Sequence, residues 1–433
     1  MPVFLHTAEP GFETDFAALL GAKREEAVDV DDSVRAIIAD VRARGDAALI
    51  ELTARFDRLE LTSDRLAFTA DEIAEHAARV PADQRAALEL AAARIRAYHE
   101  RQMPADARWT DGAGASLGWR FTPVASAGLY VPGGLASYPS SVLMNAIPAR
   151  VAGVERLVIC APTPDGVANP LVLLAAQLSG VDTVYRLGGA QAVAALAHGT
   201  ETVRPVDMIT GPGNAYVAAA KRQVFGRVGI DMIAGPSEIV VIADADNDPD
   251  WIALDLLSQA EHDAAAQSIL ITDDAKFGRA VAAAVEGRLQ TLARRAIAGA
   301  SWRDHGAVIV TRDLAEAAAL SDRLAPEHLE ICTADPEALL GRIRHAGAVF
   351  LGAWTPEAIG DYVGGPNHVL PTARSARFSS GLSVNDFLKR TTIARMSPEA
   401  LRAIGPAAET LAQAESLEAH GLSVRARLDR LNR

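Results

Sequence analysis

The sequence of 433 residues has little cysteine and no excess of positive charge. Only Cys160 and Cys332 are present, too few for a disulfide framework or a thiolate zinc site, and both lie in apolar, strand-like runs. This indicates a reducing compartment. The 42 Lys and Arg residues stand against 55 Asp and Glu residues, so the net charge is −13, and no basic block occurs. A nucleic-acid partner is therefore not expected, and a small-molecule partner is favoured.

The sequence also lacks an apolar run long enough to span a bilayer. Its N-terminal stretch, MPVFLHTAEPGFETDF, has no basic region followed by an apolar segment. We therefore expect no membrane partner and a cytoplasmic location. With 49% hydrophobic and 22% charged residues, the composition is typical of a globular protein of more than one domain.

Short β-branched runs alternate with Ala-rich helical patterns through the middle of the chain. The first hundred residues are mainly helical in pattern. Two series of strands follow, the first at 126–131, 156–160, 183–187 and 208–210, and the second at 239–242, 268–272, 307–311, 329–332 and 348–352. This alternation predicts an α/β fold with two parallel sheets. We expect the N-terminal helices to pack with the second sheet, and the chain after Gly381 to be helical, with helices at 398–417 and 424–431.

Glycine-rich turns follow several strands of the first series, although none has the GxGxxG pattern. They are GLYVPGG at 128–134, GGAQ at 188–191, GPGN at 211–214 and GPS at 235–237. Such turns bring backbone amides close to phosphates. A dinucleotide could lie across them, with Tyr130 stacking and the Gln191 and Asn214 amides donating hydrogen bonds. Ordinary strand-to-helix turns explain the glycines equally well, so both interpretations stay open.

Gln259 and His262 lie three residues apart in DLLSQAEHD at 255–263, so a helix would place both on one face. An amide oxygen and a neutral imidazole can hold a borderline cation such as zinc, provided that a carboxylate and another nitrogen come from elsewhere. The alternative is a helix turn with hydrogen-bonded polar residues. Asp361, in the predicted loop GDYVGGPNH, is a candidate carboxylate, whereas His368 in the same loop is interpreted as structural.

Glu327 and His328 follow Pro326 at the entry to a predicted strand. Both side chains can reach one substrate only if the backbone there is irregular, because adjacent strand residues point to opposite faces. A histidine can remove an alcohol proton, and a neighbouring carboxylate can activate water. The alternative is a pair that caps the strand at the surface. Glu415 and His420 lie five residues apart, and Gly421 predicts that a helix ends there.

These motifs together resemble those of the histidinol dehydrogenase family, zinc- and NAD-dependent enzymes that complete histidine biosynthesis. The resemblance runs from about Trp119 to the C-terminus. It rests on the segments GLYVPGG, SYPSSVLMNAIPA, LGGAQAVAALAHGT, GPGNAYV, KRQV, DMIAGPSE, SQAEHD, APEHLEI, GDYVGGPNHVLPT, SGLSVNDFLKR and AESLEAHGLSV. It implies incomplete Rossmann-like sheets similar to those of aldehyde dehydrogenases.

The resemblance also implies oxidation of L-histidinol to L-histidine through the aldehyde. This reaction consumes two NAD for each substrate, and each subunit holds one zinc ion. The implied residues are Gln259, His262, Asp361 and His420 for zinc; Glu327 and His328 for catalysis; Tyr130, Gln191 and Asn214 for NAD; and Ser237, Gln259, His262, His328, Asp361, Glu415 and His420 for substrate. It further implies a homodimer whose sites each receive His420 from the opposite chain.

On this basis we expect an N-terminal segment at 1–25 and a main α/β domain at 26–124 plus 240–380 that carries the zinc and catalytic residues. An NAD-binding α/β domain is expected at 125–239, and a helical dimerisation arm at 381–433. One alternative is a related zinc and NAD dehydrogenase acting on another small hydroxylated substrate. A zinc hydrolase would leave the glycine-rich turns unexplained and lacks HExxH, and a non-catalytic nucleotide-binding protein would have no use for the Glu-His pair.

Overall fold

The computed structural model describes residues 2–22, 30–132, 138–233 and 235–433. Three features expected from the sequence lie outside these ranges. They are the boundary between the segments at residues 25 and 26, Gly133 and Gly134 of the glycine-rich turn at 128–134, and Ser137, the first residue of the SYPSSVLMNAIPA segment. Within the described ranges, no helix combines the length and the apolar character needed to cross a membrane.

The strands of the described chain include all nine runs expected from the sequence. They are β1 Val3–His6, β2 Ala107–Thr110, β3 Ser116–Pro123, β4 Ser126–Tyr130, β5 Arg156–Cys160, β6 Thr183–Tyr185, β7 Met208–Thr210, β8 Gly229–Ile230, β9 Glu238–Ala243, β10 Gln267–Thr272, β11 Ala307–Val310, β12 His328–Cys332, β13 Ala348–Leu351 and β14 Leu388–Arg395.

The helices lie mainly between these strands and at both ends of the chain. They are α1 Phe12–Gly21, α2 Asp31–Arg44, α3 Asp46–Asp57, α4 Ala70–Ala78, α5 Ala82–Glu100, α6 Pro139–Ala152, α7 Pro170–Ser179, α8 Gly189–His198, α9 Ala215–Val224, α10 Pro249–Ala260, α11 Ala275–Leu289, α12 Arg295–His305, α13 Leu314–Leu324, α14 Pro336–Leu340, α15 Glu357–Tyr362, α16 Pro398–Ala414 and α17 Glu418–Leu431. Short 3-10 turns occur at Ser63–Arg65, Pro164–Gly166, Ser375–Arg377 and Val384–Phe387.

Two parallel sheets form the body, as the alternating pattern predicts. The second series builds a six-stranded sheet in the order β1-β11-β10-β9-β12-β13, and the first builds a five-stranded sheet in the order β6-β5-β4-β7-β8. Their central strands β4, β9 and β10 are wholly buried, as expected for parallel sheets covered on both faces. The α/β fold class with two parallel sheets is thus confirmed. The short edge strands β1 and β8 are not apparent from the sequence pattern.

The N-terminal helices divide between the two sheets, contrary to the expectation that they pack with the second one. Phe16 of α1 does join the apolar cluster of the six-stranded sheet. Val34 of α2 and Leu49 of α3 instead share a cluster with Leu196 of α8, and Ile95 of α5 packs in the cluster of α6. The Ala-rich helices beside the five-stranded sheet have apolar faces that α2 to α5 cover. The order of elements along the sequence does not reveal which sheet the N-terminal helices cover.

The chain after Gly381 is not wholly helical, which corrects the sequence expectation. Strand β14 pairs antiparallel with β3, and β3 pairs with β2, in a separate three-stranded sheet. Two helices, α16 and α17, follow. The helix break also differs from the prediction at Gly421: α16 ends at Ala414, Ser416 adopts a left-handed φ of +60°, and Gly421 lies inside α17. The Leu417 N–H caps the end of α16 by donating to the Ala412 carbonyl.

Candidate active site

The backbone of Glu238, the first residue of β9, holds both Glu327 and His328. Its N–H donates to Glu327 Oε2 at 2.9 Å, and its carbonyl oxygen lies 3.0 Å from His328 Nδ1. Both side chains are buried, so the alternative of a pair at the surface is wrong. The backbone just before them is irregular, with a left-handed φ of +47° at Ala325. When Nδ1 donates to the Glu238 carbonyl, Nε2 is the free nitrogen of the neutral imidazole.

The electrostatic environment favours proton exchange at both residues. Burial raises the pKa of Glu327 to about 7, against the opposing effect of the neighbouring His328. Burial alone would lower the pKa of His328. The negative charges of Glu327 and Glu357 have the opposite and larger combined effect, so the pKa of His328 is raised. A general acid or base works best when its pKa lies near the operating pH. Glu327 meets that condition close to neutrality.

Three of the residues implied for zinc lie beside this pair. The Gln259 amide nitrogen lies 2.9 Å from His262 Nδ1, and His262 Nε2 lies 3.9 Å from Asp361 Oδ2. Gln259 is in the last turn of α10, whereas His262 follows the end of that helix. Asp361 lies in the short helix α15 and not in a loop as expected, because Pro356 and Glu357 start a helical turn before the glycines of the GDYVGGPNH segment.

His368 orients the Asp361 segment. Its Nδ1 lies 3.0 Å from the Asp361 carbonyl oxygen, and its Nε2 lies 3.2 Å from Ser141 Oγ on α6. Burial lowers the pKa of His368 to about 4, so the ring is neutral at pH 7. These contacts connect the Asp361 segment to α6, a helix that packs beside the five-stranded sheet.

Glu357 is a candidate site residue that the sequence analysis did not identify. Its side chain is 1% exposed, and its Oε1 lies 3.5 Å from His328 Nε2. Its backbone N–H donates to Glu330 Oε1 at 2.6 Å, and Ser258 Oγ donates to its Oε2 at 3.2 Å. The only sequence signal was its position four residues before Asp361, which places both carboxylates on one helical face.

The region has the character of a cation site. His328, Glu357 and Asp361 offer ligand atoms that all lie within 4.8 Å of one another. Gln259 Oε1, His328 Nε2 and Glu357 Oε1 are buried and have no hydrogen-bond partner in the part of the chain that the structure describes. Burial, together with the Glu357 charge, raises the pKa of Asp361 well above its usual value, and burial lowers the pKa of the His262 imidazole. Neutral imidazole, amide oxygen and crowded carboxylates form a donor set that suits zinc.

Glu415 and His420 do not join this group within one chain. Glu415 caps α16, His420 lies in the first turn of α17, and both are exposed. Among the described residues, no hydrogen bond or ion pair connects either of them to Gln259, His262 or Asp361. Ser237, in contrast, directly precedes Glu238, and its carbonyl accepts the Gln267 N–H at 3.0 Å.

The three residues implied for NAD lie together at the carboxyl edge of the five-stranded sheet. Tyr130 ends β4, and its buried hydroxyl accepts the Gly189 N–H at 3.1 Å. Gln191 is buried in the first turn of α8. Asn214 caps α9 by accepting from the Tyr216 and Val217 N–H groups at 3.1 and 3.2 Å, and it remains exposed. The Tyr130 ring is largely buried, which leaves little of its face for stacking.

The turn before Asn214 is held against β4. Gly211 has a φ of +113°, and a Cβ atom there would lie 2.1 Å from the Tyr130 carbonyl oxygen, so only glycine fits. The Gly211 N–H donates to Asp231 Oδ2 at 2.8 Å, and Lys221 Nζ donates to the Gly211 carbonyl at 3.0 Å. Lys221 and Asp231 form a buried ion pair. These contacts fix the turn at the junction of β4 and β7.

Comparisons with known proteins agree on one family. The family model described as histidinol dehydrogenase matches residues 21–428. Histidinol dehydrogenases from Cereibacter sphaeroides and Ruegeria pomeroyi are 81% and 77% identical over 432 residues, which is 100% of this chain and of each relative. The crystal structure of histidinol dehydrogenase from Elizabethkingia anophelis is 36% identical, with a TM-score of 0.96, and covers 100% of this chain and 99% of that one. The chain therefore belongs to the histidinol dehydrogenase family.

Proposed function

We propose that this protein oxidises L-histidinol to L-histidine through the aldehyde, as the last step of histidine biosynthesis. The reaction consumes two NAD for each L-histidinol, and each subunit holds one zinc ion. Family membership supports oxidation of histidinol by an oxidoreductase. The observation that carries the finer proposal is the buried Glu327–His328 pair, held by one backbone unit beside a donor set that suits a cation. The reducing compartment indicated by the two buried, unpaired cysteines agrees with a cytoplasmic location.

Zinc would be held by Gln259, His262 and Asp361 of one chain and His420 of the other. When bound, it would supply positive charge that orients the imidazole and the amine of the substrate. The buried Gln259 oxygen without a partner and the neutral His262 support this assignment. Glu415, next to His420 on the arm, offers a carboxylate for the substrate ammonium, and Ser237 offers a hydroxyl beside the catalytic pair.

NAD would bind across the turns that follow β4, β6 and β7, with contacts from Tyr130, Gln191 and Asn214. In the order β6-β5-β4-β7-β8, the chain leaves β4 in one direction and returns on its other side at β7. Ligands of open parallel sheets bind at such a switch point. When bound, each of two successive NAD molecules would supply the acceptor for one of the two hydrides that leave the substrate carbon.

In the first oxidation, His328 Nε2 takes the proton of the substrate hydroxyl. Its Nδ1 is held by the Glu238 carbonyl, so the ring cannot turn away, and the Glu357 carboxylate at 3.5 Å stabilises the imidazolium that results. In the second oxidation, Glu327 takes a proton from the water that attacks the aldehyde carbon. A pKa of about 7 lets this carboxyl accept a proton and release it again at neutral pH.

Two exposed apolar surfaces of one chain support the proposed homodimer with shared sites. Around the metal-site residues, Trp354 is 85% and Tyr362 57% exposed, and Trp354 contacts Trp251 with ring centroids 5.2 Å apart. On the arm, Leu411 and Leu422 are also exposed, on either side of Glu415 and His420. Apolar surfaces of this kind mark protein interfaces. Covering one with the other in a twofold dimer would bring His420 to the three ligands of the opposite body.

The stoichiometry tests the proposed reaction. Purified protein should form two NADH for each L-histidinol consumed and release histidine, because the site has both a base for an alcohol and a carboxyl for water. NADH formation and the products are measured together. One NADH per substrate, with free aldehyde accumulating, would contradict the proposal.

Glu327→Gln should spare the first oxidation more than the second, because only the second needs activated water. We expect a loss of about a hundredfold or more in turnover of supplied L-histidinaldehyde, the usual contribution of a general base. The first hydride transfer from histidinol, followed in a single turnover, should fall much less. Glu337→Gln, at an exposed residue of α14, is the control. Equal losses for both substrates would reject this division of labour.

Removal of zinc with a chelator should abolish turnover and leave NAD affinity nearly unchanged. The metal-site residues lie around the amino ends of β9 and β12, whereas the nucleotide turns lie at the carboxyl edge of the other sheet. NAD affinity is measured by titrating the metal-free protein, and added zinc should restore turnover. A parallel collapse of NAD affinity would show that the two sites are not separate.

Complementation tests the shared sites. A His328→Ala chain is co-expressed with a His420→Ala chain, each of which alone should be inactive. In a mixed dimer one site receives an intact body and an intact arm, while the other receives both defects. Random pairing makes about half of the dimers mixed, so about a quarter of wild-type activity should return. A mixture as inactive as its parents would show that each site is built from one chain.

A further inference from the structure

Asp57, the last residue of α3, has a buried carboxylate close to the turns of the five-stranded sheet. The residue is only 9% exposed, and its Oδ2 has no hydrogen-bond partner in the described chain. A Cβ atom on Gly188 would lie 3.5 Å from this oxygen. Gly188 begins the turn that carries Gln191, so the Asp57 carboxylate faces the edge at which we propose that NAD binds.

A structural role does not account for this carboxylate. Asp46, at the other end of the same helix, is also buried, but it accepts hydrogen bonds from the hydroxyls of Thr200 and Thr202. The cation nearest in sequence to Asp57, Arg58, pairs instead with Asp165 on the surface. A buried carboxylate oxygen without a donor is costly, and burial raises the pKa of Asp57 accordingly. A ligand with hydroxyl groups would remove that cost.

A cavity of about 350 Å³ lies beyond the ends of β4 and β5. Phe68, Val131, Pro162 and Leu173 form apolar parts of its wall. Thr163 also lines it, and the Thr163 hydroxyl is buried without a hydrogen-bond partner among the described residues. Pro162 connects the two features, because a Cβ atom on Gly188 would lie 2.6 Å from Pro162 Cβ. An apolar cavity with one free hydroxyl suits a flat heteroaromatic base.

A nucleotide with its base in this cavity would carry its ribose past the Asp57 carboxylate. A carboxylate can accept hydrogen bonds from vicinal ribose hydroxyls, whereas a phosphate on the 2′ oxygen would remove one donor and add like charge. We propose that Asp57 binds the adenosine ribose of NAD, with the adenine in the Thr163 cavity, and that it excludes NADP. This inference rests on the NAD dependence proposed above.

Equilibrium titration with NAD and with NADP tests the proposal on the wild-type protein, Asp57→Asn and Asp57→Ala. Loss of a charged hydrogen-bond acceptor should weaken NAD binding by about tenfold or more in Asp57→Ala. NADP binding should stay constant or tighten in both variants, so that the ratio of the two affinities falls at least tenfold. Glu60→Gln, which removes an exposed carboxylate three residues after Asp57, should leave both affinities unchanged.

A parallel loss of NAD and NADP affinity, or no loss, would overturn the role of Asp57. A second measurement needs no variant: wild-type protein should bind ADP-ribose more tightly than 2′-deoxy-ADP-ribose, and equal affinities would also overturn the role. If wild-type protein binds neither NAD nor ADP-ribose, the proposed cofactor itself is wrong. Tight binding of NAD with unaltered discrimination in the Asp57 variants would reject only the present inference.

Discussion

The geometry of the Glu327–His328 pair depends on the parallel pairing of β9 with β12. That pairing sets His328, the first residue of β12, opposite Ile239, and the preceding Glu238 backbone then donates to Glu327 and accepts from His328. Neither bond uses the Glu238 side chain, so the geometry is fixed by the backbone of a buried strand. A side chain held in this way loses little entropy when substrate binds, because its orientation is already set by the fold.

The same region concentrates acidic groups that the fold alone does not neutralise. Glu330, fully buried in the middle of β12, accepts the Glu357 N–H through Oε1 at 2.6 Å, and its Oε2 has no hydrogen-bond partner among the described residues. Burial raises the pKa of Asp255 to about 6 and that of Glu330 well above its usual value. Glu357 on α15 therefore connects β12 with α10, because it donates to Glu330 and accepts from Ser258. The acids hold these elements in place, and they also make the centre favourable for a cation.

The sequence predicted the body of the fold better than its periphery. Buried parallel strands are read from local β-branched runs, and the interior strands from β9 to β13 lie within one residue of their predicted ends. Strand β14 depends on a partner about 270 residues earlier in the chain, and no local pattern carries that information. The helix break at Ser416 was missed because a left-handed serine, and not Gly421, terminates α16.

In the candidate site, too, residues with a local sequence signal were predicted and a residue without one was not. Gln259 with His262, and Glu327 with His328, were found because their members are close in sequence and chemically unusual there. Glu357 was missed because a glutamate at a helix start is ordinary in sequence, and only burial beside His328 distinguishes it.

The placement of the sites at different sheet edges constrains how substrate and cofactor can meet. Parallel sheets bind ligands at their carboxyl edge, and the turns that we propose bind NAD lie at that edge, but Glu327 and His328 lie at the amino end of β12. A single sheet could not present both edges to one carbon atom. The fold supplies two sheets, and Ser141 and His368 connect α6 of one with the Asp361 segment of the other. The proposed reaction therefore requires the two sheets to keep a fixed position relative to each other. The polar contacts of His368 with Ser141 and with the Asp361 carbonyl, in addition to apolar packing, join the elements of the two sheets beside the site.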